Sequence, residues 1–144
     1  MANLDVMFSS KYMTWETPQE LFNELDLEFG FTLDPCCVEE TAKCIKYYTP
    51  KDDGLKQDWS NEIAFVNPPY GREISKWVEK SYLEHKKGAK VVMLIPARTD
   101  TTWFHKWIYG KAEIRFLKGR IRFLQNKITR DAAPFPSMLV IYGF

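Results

Sequence analysis

Two apolar runs that each stop at proline constrain this chain most: Ile63 to Val66, ended by Asn67-Pro68-Pro69-Tyr70-Gly71, and Val91 to Ile95, ended by Pro96. Short continuous apolar runs bounded by turn residues mark strands buried on both faces, which have no wet side to carry polar residues. Between them Ile74, Trp77, Val78 and Tyr82 recur at three- and four-residue spacing, the stripe of a helix that covers a sheet. The rest of the chain extends the alternation. Thr17-Pro18-Gln19-Glu20 predicts a helix start, with Thr17 as N-cap, Pro18 at the first helical position and Glu20 completing a capping box. Phe29 to Leu33 and Ile45 to Tyr48 predict short strands, the first ending at Asp34-Pro35. Trp103, Phe104, Trp107 and Ile108 predict a further helix, and Ile114 to Leu117, Ile121 to Leu124 and Met138 to Tyr142 predict the last strands. The expected fold class is α/β, a mixed, mostly parallel sheet with helices on its faces.

At 144 residues the chain predicts one domain, with residues 1–14 as a loose arm. Its 45% hydrophobic content supplies a core without staples, which excludes a disordered chain and a disulfide scaffold. No apolar run is long enough to cross a bilayer, and Met1 to Ser10 does not resemble a signal peptide, so the expected location is the cytoplasm. Cys36, Cys37 and Cys44 fit no common zinc spacing and predict reduced thiols without a metal. Charge is split along the chain. Residues 1–72 hold 6 Lys/Arg against 13 Asp/Glu, and residues 73–144 hold 14 against 6. The segment 111–130 carries Lys111, Arg115, Lys118, Arg120, Arg122, Lys127 and Arg130 against Glu113 alone. Such a segment reads either as a face for a polyanion or as solvated surface.

In an open α/β sheet, ligands bind beyond the carboxyl ends of the strands. There the Asn67 to Tyr70 turn is the sharpest signal. Two prolines remove two backbone donors and stiffen the turn, leaving the Asn67 side-chain oxygen and the Pro68 carbonyl as fixed acceptors beside an aromatic ring. That set suits an exocyclic amine on a flat ring. Accepting both amine hydrogens frees the nitrogen lone pair to attack an electrophile.

Asn67-Pro68-Pro69-Tyr70 resembles the Asp/Asn-Pro-Pro-Tyr/Phe motif of amino-methyltransferases dependent on S-adenosylmethionine. Trp15-Glu16-Thr17-Pro18, Leu33-Asp34-Pro35, Asp53-Gly54-Leu55, Gln57-Asp58-Trp59, Leu94 to Asp100, Trp103-Phe104-His105 and Gly119 to Phe123 extend the likeness in order. Together they resemble the phage DNA N-6-adenine methyltransferase family from about Trp15 to the C-terminus.

The resemblance implies a reduced Rossmann-like methyltransferase sheet, S-adenosylmethionine as cofactor, double-stranded DNA as partner and a bacterial host cell as setting. It implies a catalytic set of Asn67, Pro68, Pro69 and Tyr70, in which Asn67 and Pro68 hold the adenine amine and Tyr70 stacks on a base flipped out of the duplex. Trp15, Thr17 and Pro18 would meet the methionine end of the cofactor, Asp34 and Pro35 would start its loop, and Asp58 with Trp59 would hold its adenine. Arg98, Arg120 and Arg122 would contact phosphates, the last two from one face of a strand.

Plainer readings stand beside these: Asp34 as a helix cap, Asp58-Trp59 as a turn followed by a packing aromatic, the arginines as solvated. The turn after the first strand, Asp34 to Glu40, departs from larger methyltransferases in having no glycine, and Asp52 or Asp53 could supply the acid expected after the second strand. An amino-methyltransferase acting on RNA or on protein glutamine, and a silent nucleic-acid-binding relative, are the competing functions.

Overall fold

A computed structural model describes residues 15–125 and 127–144; the expected arm, residues 1–14, lies outside the described residues. In chain order the elements are α1 (Gln19–Phe29), β1 (Leu33–Asp34), β2 (Lys46–Tyr47), β3 (Ile63–Val66), α2 (Ile74–Lys86), β4 (Lys90–Pro96), β5 (Glu113–Phe116), β6 (Leu124–Gln125), β7 (Ile128–Thr129) and β8 (Ser137–Tyr142). Six strands form one sheet in the order β2-β1-β3-β4-β8-β5, and β6 and β7 form a separate two-stranded ribbon. The first four strands of that order run parallel, while β8 lies antiparallel between β4 and β5. The fold is therefore α/β with a mixed, mostly parallel sheet.

The proline-ended runs form the middle of the sheet. Val91 to Pro96 of β4 and every residue of β8 are buried, as two-sided burial requires. Helix α1 lays Phe22, Leu25 and Phe29 inward, with the Phe22 ring edge-on to Phe65 of β3 at 5.2 Å. Helix α2 buries Ile74, Trp77 and Val78.

Three local expectations are corrected. Helix α1 continues through Phe29 to a left-handed Gly30 whose N–H returns to the Asp26 carbonyl, so β1 begins only at Leu33. The helix expected around Trp103 is a single π-helical stretch, Phe104–Ile108. The strand expected over Ile121 to Leu124 does not join the sheet. Gly119, at φ 78°, turns the chain, and Phe123 is drawn into the core, so only Leu124 and Gln125 pair, with the ribbon partner β7.

The position of the site follows from strand order. From β1 the chain goes to β2 on one side and returns to β3 on the other. That reversal opens a crevice beyond the carboxyl ends of β1 and β3, where Asp34 and Asn67 sit.

Candidate active site

The crevice is a cavity of about 900 Å³. Its walls come from four places: Trp15, Glu16 and Thr17 before α1; the loop after β1; the loop after β2; and the turn after β3 with the start of α2. The β6–β7 ribbon closes one side through Leu124, Gln125 and Lys127.

Asn67 is fixed by its neighbours. Its Nδ2 donates to the Trp15 carbonyl and to Thr17 Oγ1, the latter at 2.9 Å. The Trp15 carbonyl can only accept, so this orientation of the amide is the one that satisfies it. Asn67 Oδ1 accepts from the Tyr70 hydroxyl at 2.5 Å and keeps a second lone pair. That hydroxyl also lies 2.9 Å from the Leu94 carbonyl, so one hydrogen faces two acceptors. Burial holds the Tyr70 phenol well above its usual range, so it stays a donor.

Thr17 is 2% exposed and its hydroxyl makes no cap bond to α1. The expected capping box is therefore absent; the hydroxyl is committed to Asn67 instead. Pro68 is buried and, like Pro18, does not line the cavity, whereas Pro69 does.

Tyr70 is not an open platform for a base. It is 4% exposed, edge-on to Phe123 at 6.1 Å and to Phe135 at 5.5 Å, and Trp15 packs against the same two rings. The structure thus joins Trp15, Asn67 and Tyr70 in one cluster but encloses the tyrosine.

Asp34, 3% exposed, organises the loop that follows it. Its Oδ1 accepts from the Cys36 N–H at 3.4 Å and its Oδ2 from the Lys43 N–H at 2.9 Å. Burial pushes its carboxyl up to about 6, against the pull of those two amides. It caps no helix: the 3₁₀ turn Glu39–Thr41 is closed by Thr41 and Val38. Cys36, Cys37 and Cys44 are free thiols, pushed upward first by burial and then by the nearby Asp34 carboxylate. Among the described residues no group of His, Cys, Asp and Glu stands where it would hold a metal ion.

The glycine missing after β1 is supplied from another loop. A Cβ on Gly54 would stand 2.0 Å from the Pro35 carbonyl oxygen, so only glycine allows the two loops to meet there. Beside it Asp53, at φ 58°, lines the cavity and caps the Leu55 N–H. Asp52 instead holds the turn at Thr49.

Asp58 and Trp59 are corrected: neither lines the cavity. Trp59 is fully buried, stacked on Trp77 at 6.3 Å, with Nε1–H donating to the Gly54 carbonyl. The Asp58 carboxylate accepts from Ser60 and pairs with Lys87 on the outside. The aromatic wall is made by Trp77 together with Phe65 and Tyr48.

A family model described as DNA N-6-adenine-methyltransferase (Dam) matches residues 8–143. The chain belongs to this family. Over 106 residues, 72% of this chain and 44% of the relative, it is 32% identical to the DNA N-6-adenine-methyltransferase of Escherichia phage T1. Over 63 residues, 39% of this chain and 69% of the relative, it is 41% identical to the putative methyltransferase YfdM of Escherichia coli K12. The chain thus spans under half the length of the phage relative.

The arginines of this Dam-family chain lie outside the main cavity. Arg98, Arg120 and Arg122 are exposed. Arg120 and Arg122 do not share a strand, as expected above; they sit on irregular backbone and reach the carbonyls of Ala133 and Arg130 at 3.3 Å each. Arg115 is already held by Glu28 and Glu113 at 2.7 Å each. A second, more open hollow of about 440 Å³ adjoins the cavity, sharing Trp15 and Gln125 and adding Arg130 and Asp131.

Reading the sequence alone missed Trp77, Lys43 and Lys127 as cavity residues. For Trp77 a signal existed, its place in the first turn of the helix after the proline motif. For the two lysines there was none, because their partner Glu16 lies 27 and 111 positions away.

Proposed function

We propose that this protein is a DNA adenine-N6 methyltransferase dependent on S-adenosylmethionine, built as a single reduced Rossmann-like domain. The observation that carries the reading is Asn67, whose amide is immobilised at the carboxyl end of β3 on the wall of a cofactor-sized cavity. About 900 Å³ lies within the ~300–1,000 Å³ range of small-molecule sites. An aromatic wall and a buried carboxylate oxygen without a partner among the described residues, both on this cavity, fit a ligand with a flat ring and a charged tail. Bound there, S-adenosylmethionine supplies a methyl group on a positively charged sulfur, an electrophile that needs no further activation. The residues proposed to hold it are Trp15, Thr17, Asp34 and Pro35.

Asn67 Oδ1 and the Pro68 carbonyl then accept the two hydrogens of the adenine amine. Its lone pair would turn out of conjugation and attack the methyl carbon as the carbon–sulfur bond breaks, leaving S-adenosylhomocysteine, and the resulting ammonium would lose a proton to water. Prepaid orientation of the Asn67 amide is the protein's main contribution. Tyr70 keeps that amide aligned until the base arrives, and stacking on the base requires Phe123 or Phe135 to move aside. Flipping the base costs a few kcal/mol, offset by phosphate contacts from Arg98, Arg120 and Arg122. The partner is double-stranded DNA in the cytoplasm of a bacterial host. Among the described residues no helix is long and apolar enough to cross a membrane.

The test incubates the protein with labelled S-adenosylmethionine and unmethylated DNA, then digests the DNA to nucleosides for mass analysis. N-6-methyladenine is expected from the natural chain, and Asn67→Ala should lower the rate about 10²–10³-fold while circular dichroism stays native. Equal rates would sink the mechanism. Cofactor binding with methyl transfer only to RNA or to protein glutamine would replace DNA as the substrate. Binding of DNA without the cofactor would leave a silent relative.

A further inference from the structure

The six-stranded sheet ends differently at its two edges. At one, β2 is two residues long and carries Lys46, whose ammonium is tied to Glu62 at 2.5 Å, so little backbone is offered there. At the other, β5 offers four residues, and its Phe116 is 65% exposed. The ladder with β8 decides which groups face outward. Leu117 N–H donates to the Ser137 carbonyl at 3.0 Å, and the same register sets Arg115 opposite Leu139 and Glu113 opposite Ile141. Antiparallel pairs alternate between bonded and non-bonded. Glu113, Arg115 and Leu117 therefore spend their backbone groups on β8, while Ile114 and Phe116 turn theirs to the open side, where no loop backbone among the described residues meets them. Such an edge is a template for another strand.

The segment Ala112-Glu113-Ile114-Arg115-Phe116 is its own complement. Laid antiparallel to a copy of itself about Ile114, it sets Ile114 against Ile114, Glu113 against Arg115 and Phe116 against Ala112. Each pair joins apolar to apolar or acid to base, the arrangement that stabilises paired strands. Moving the centre by one residue sets Arg115 against Arg115 or Glu113 against Glu113, and directly opposed like charges destabilise. Charge therefore selects one register. Arg115 has capacity for it: Nε bonds Glu113, and the two terminal nitrogens bond Glu28, which leaves one hydrogen on each of those two. We propose that this protein forms a two-fold homodimer in which β5 pairs with β5 of a second copy, joining the two sheets into one. Ile114 N–H donates to the opposite Ile114 carbonyl and Phe116 N–H to the opposite Ala112 carbonyl, while Ala112 N–H stays with its own Ile108. Because the paired strands run antiparallel, the two cavities open toward opposite ends of the joined sheet.

Sedimentation equilibrium tests it first. The natural chain should sediment at twice the mass of one chain. Glu113→Arg and Arg115→Glu each set like charges against each other, so each should sediment as a monomer with native circular dichroism. Mixed, the two variants should associate, because only the mixture restores opposite charge at every pair. Cysteine substitution then reads the register without touching charge. Directly opposed α-carbons stand about 5.5 Å apart, within disulfide reach, so Ile114→Cys should cross-link two copies on oxidation in air. Phe116→Cys should not, since each copy's residue 116 lies four positions, roughly 13 Å, along the strand from the other's. The natural chain, with its three half-buried thiols, is the control. A natural chain that stays monomeric at every concentration overturns the dimer. Single charge variants that still dimerise, or cross-linking through Phe116→Cys in place of Ile114→Cys, overturn it equally.

Discussion

The two halves of the chain carry opposite charge, and they place it in opposite directions. In the acidic half, the charged groups that matter point inward: Asp34 is 3% exposed and ties down its loop, and the Glu16 side chain is 10% exposed at the cavity edge. In the basic half Arg98, Lys118, Arg120 and Arg122 are exposed at the surface, and Lys127 alone among the basic residues of 111–130 lines the main cavity. Net charge therefore separates two tasks. Buried charge fixes geometry, because at low dielectric an unpaired group is expensive. Exposed charge is cheap to keep and, on the proposed reading, would gain by releasing counterions from a polyanion. The sharpest ways to break this contrast act on the inward half first.

Gly54 should respond most. Gly54→Ala places a methyl group 2.0 Å from the Pro35 oxygen and 3.1 Å from the Trp77 ring, and the oxygen belongs to backbone that cannot step aside. Denaturant unfolding should show a loss of about 3 kcal/mol, the upper range for overpacking. Unchanged stability would mean that the loops after β1 and β2 do not meet as described.

Asp34 comes next, through pH. Its folded carboxyl is raised to about 6 from an ordinary 3.8, so between those values the folded state binds more protons than the unfolded chain. The sign follows: this group subtracts nothing below about pH 4, and its ionisation erodes stability as pH rises to about 6 and costs fully above it. The size is on the order of 3 kcal/mol. Asp34→Asn also loses an acceptor for one of the two amides, so the absolute stability of the variant is not the readout. The difference between the two stability-versus-pH curves is. Parallel curves across pH 4–6 would show that Asp34 does not titrate in that window.

How much of this was legible beforehand depends on how far apart the partners lie. The middle strands were plain, because β3 and β4 write burial into consecutive residues. The Asn67 turn was plain, because its prolines sit beside it. Thr17 shows the limit: the capping signal was real, yet a tertiary partner 50 residues away took the hydroxyl. Trp59 shows another. An aromatic beside an acid reads the same whether it faces a ligand or a second tryptophan, and only packing against Trp77 decides. Glu16, Lys43 and Lys127 carry no local pattern at all, since three separate segments bring them together.

The outward half gives the smallest expected effect and the cleanest contrast. Arg120 and Arg122 each give one guanidinium bond to a carbonyl, leaving further donors of the fork for phosphate. Neither touches the main cavity. Replacing both with alanine should weaken DNA binding about tenfold near physiological salt and lower the slope of log affinity against log salt by about one per arginine. Affinity for S-adenosylhomocysteine should not move. A salt slope equal to that of the natural chain would make both arginines solvated surface. Loss of cofactor affinity in the same variant would instead show that charge on the segment leading into the β6–β7 ribbon reaches into the cavity, and the division between inward and outward charge would fail there.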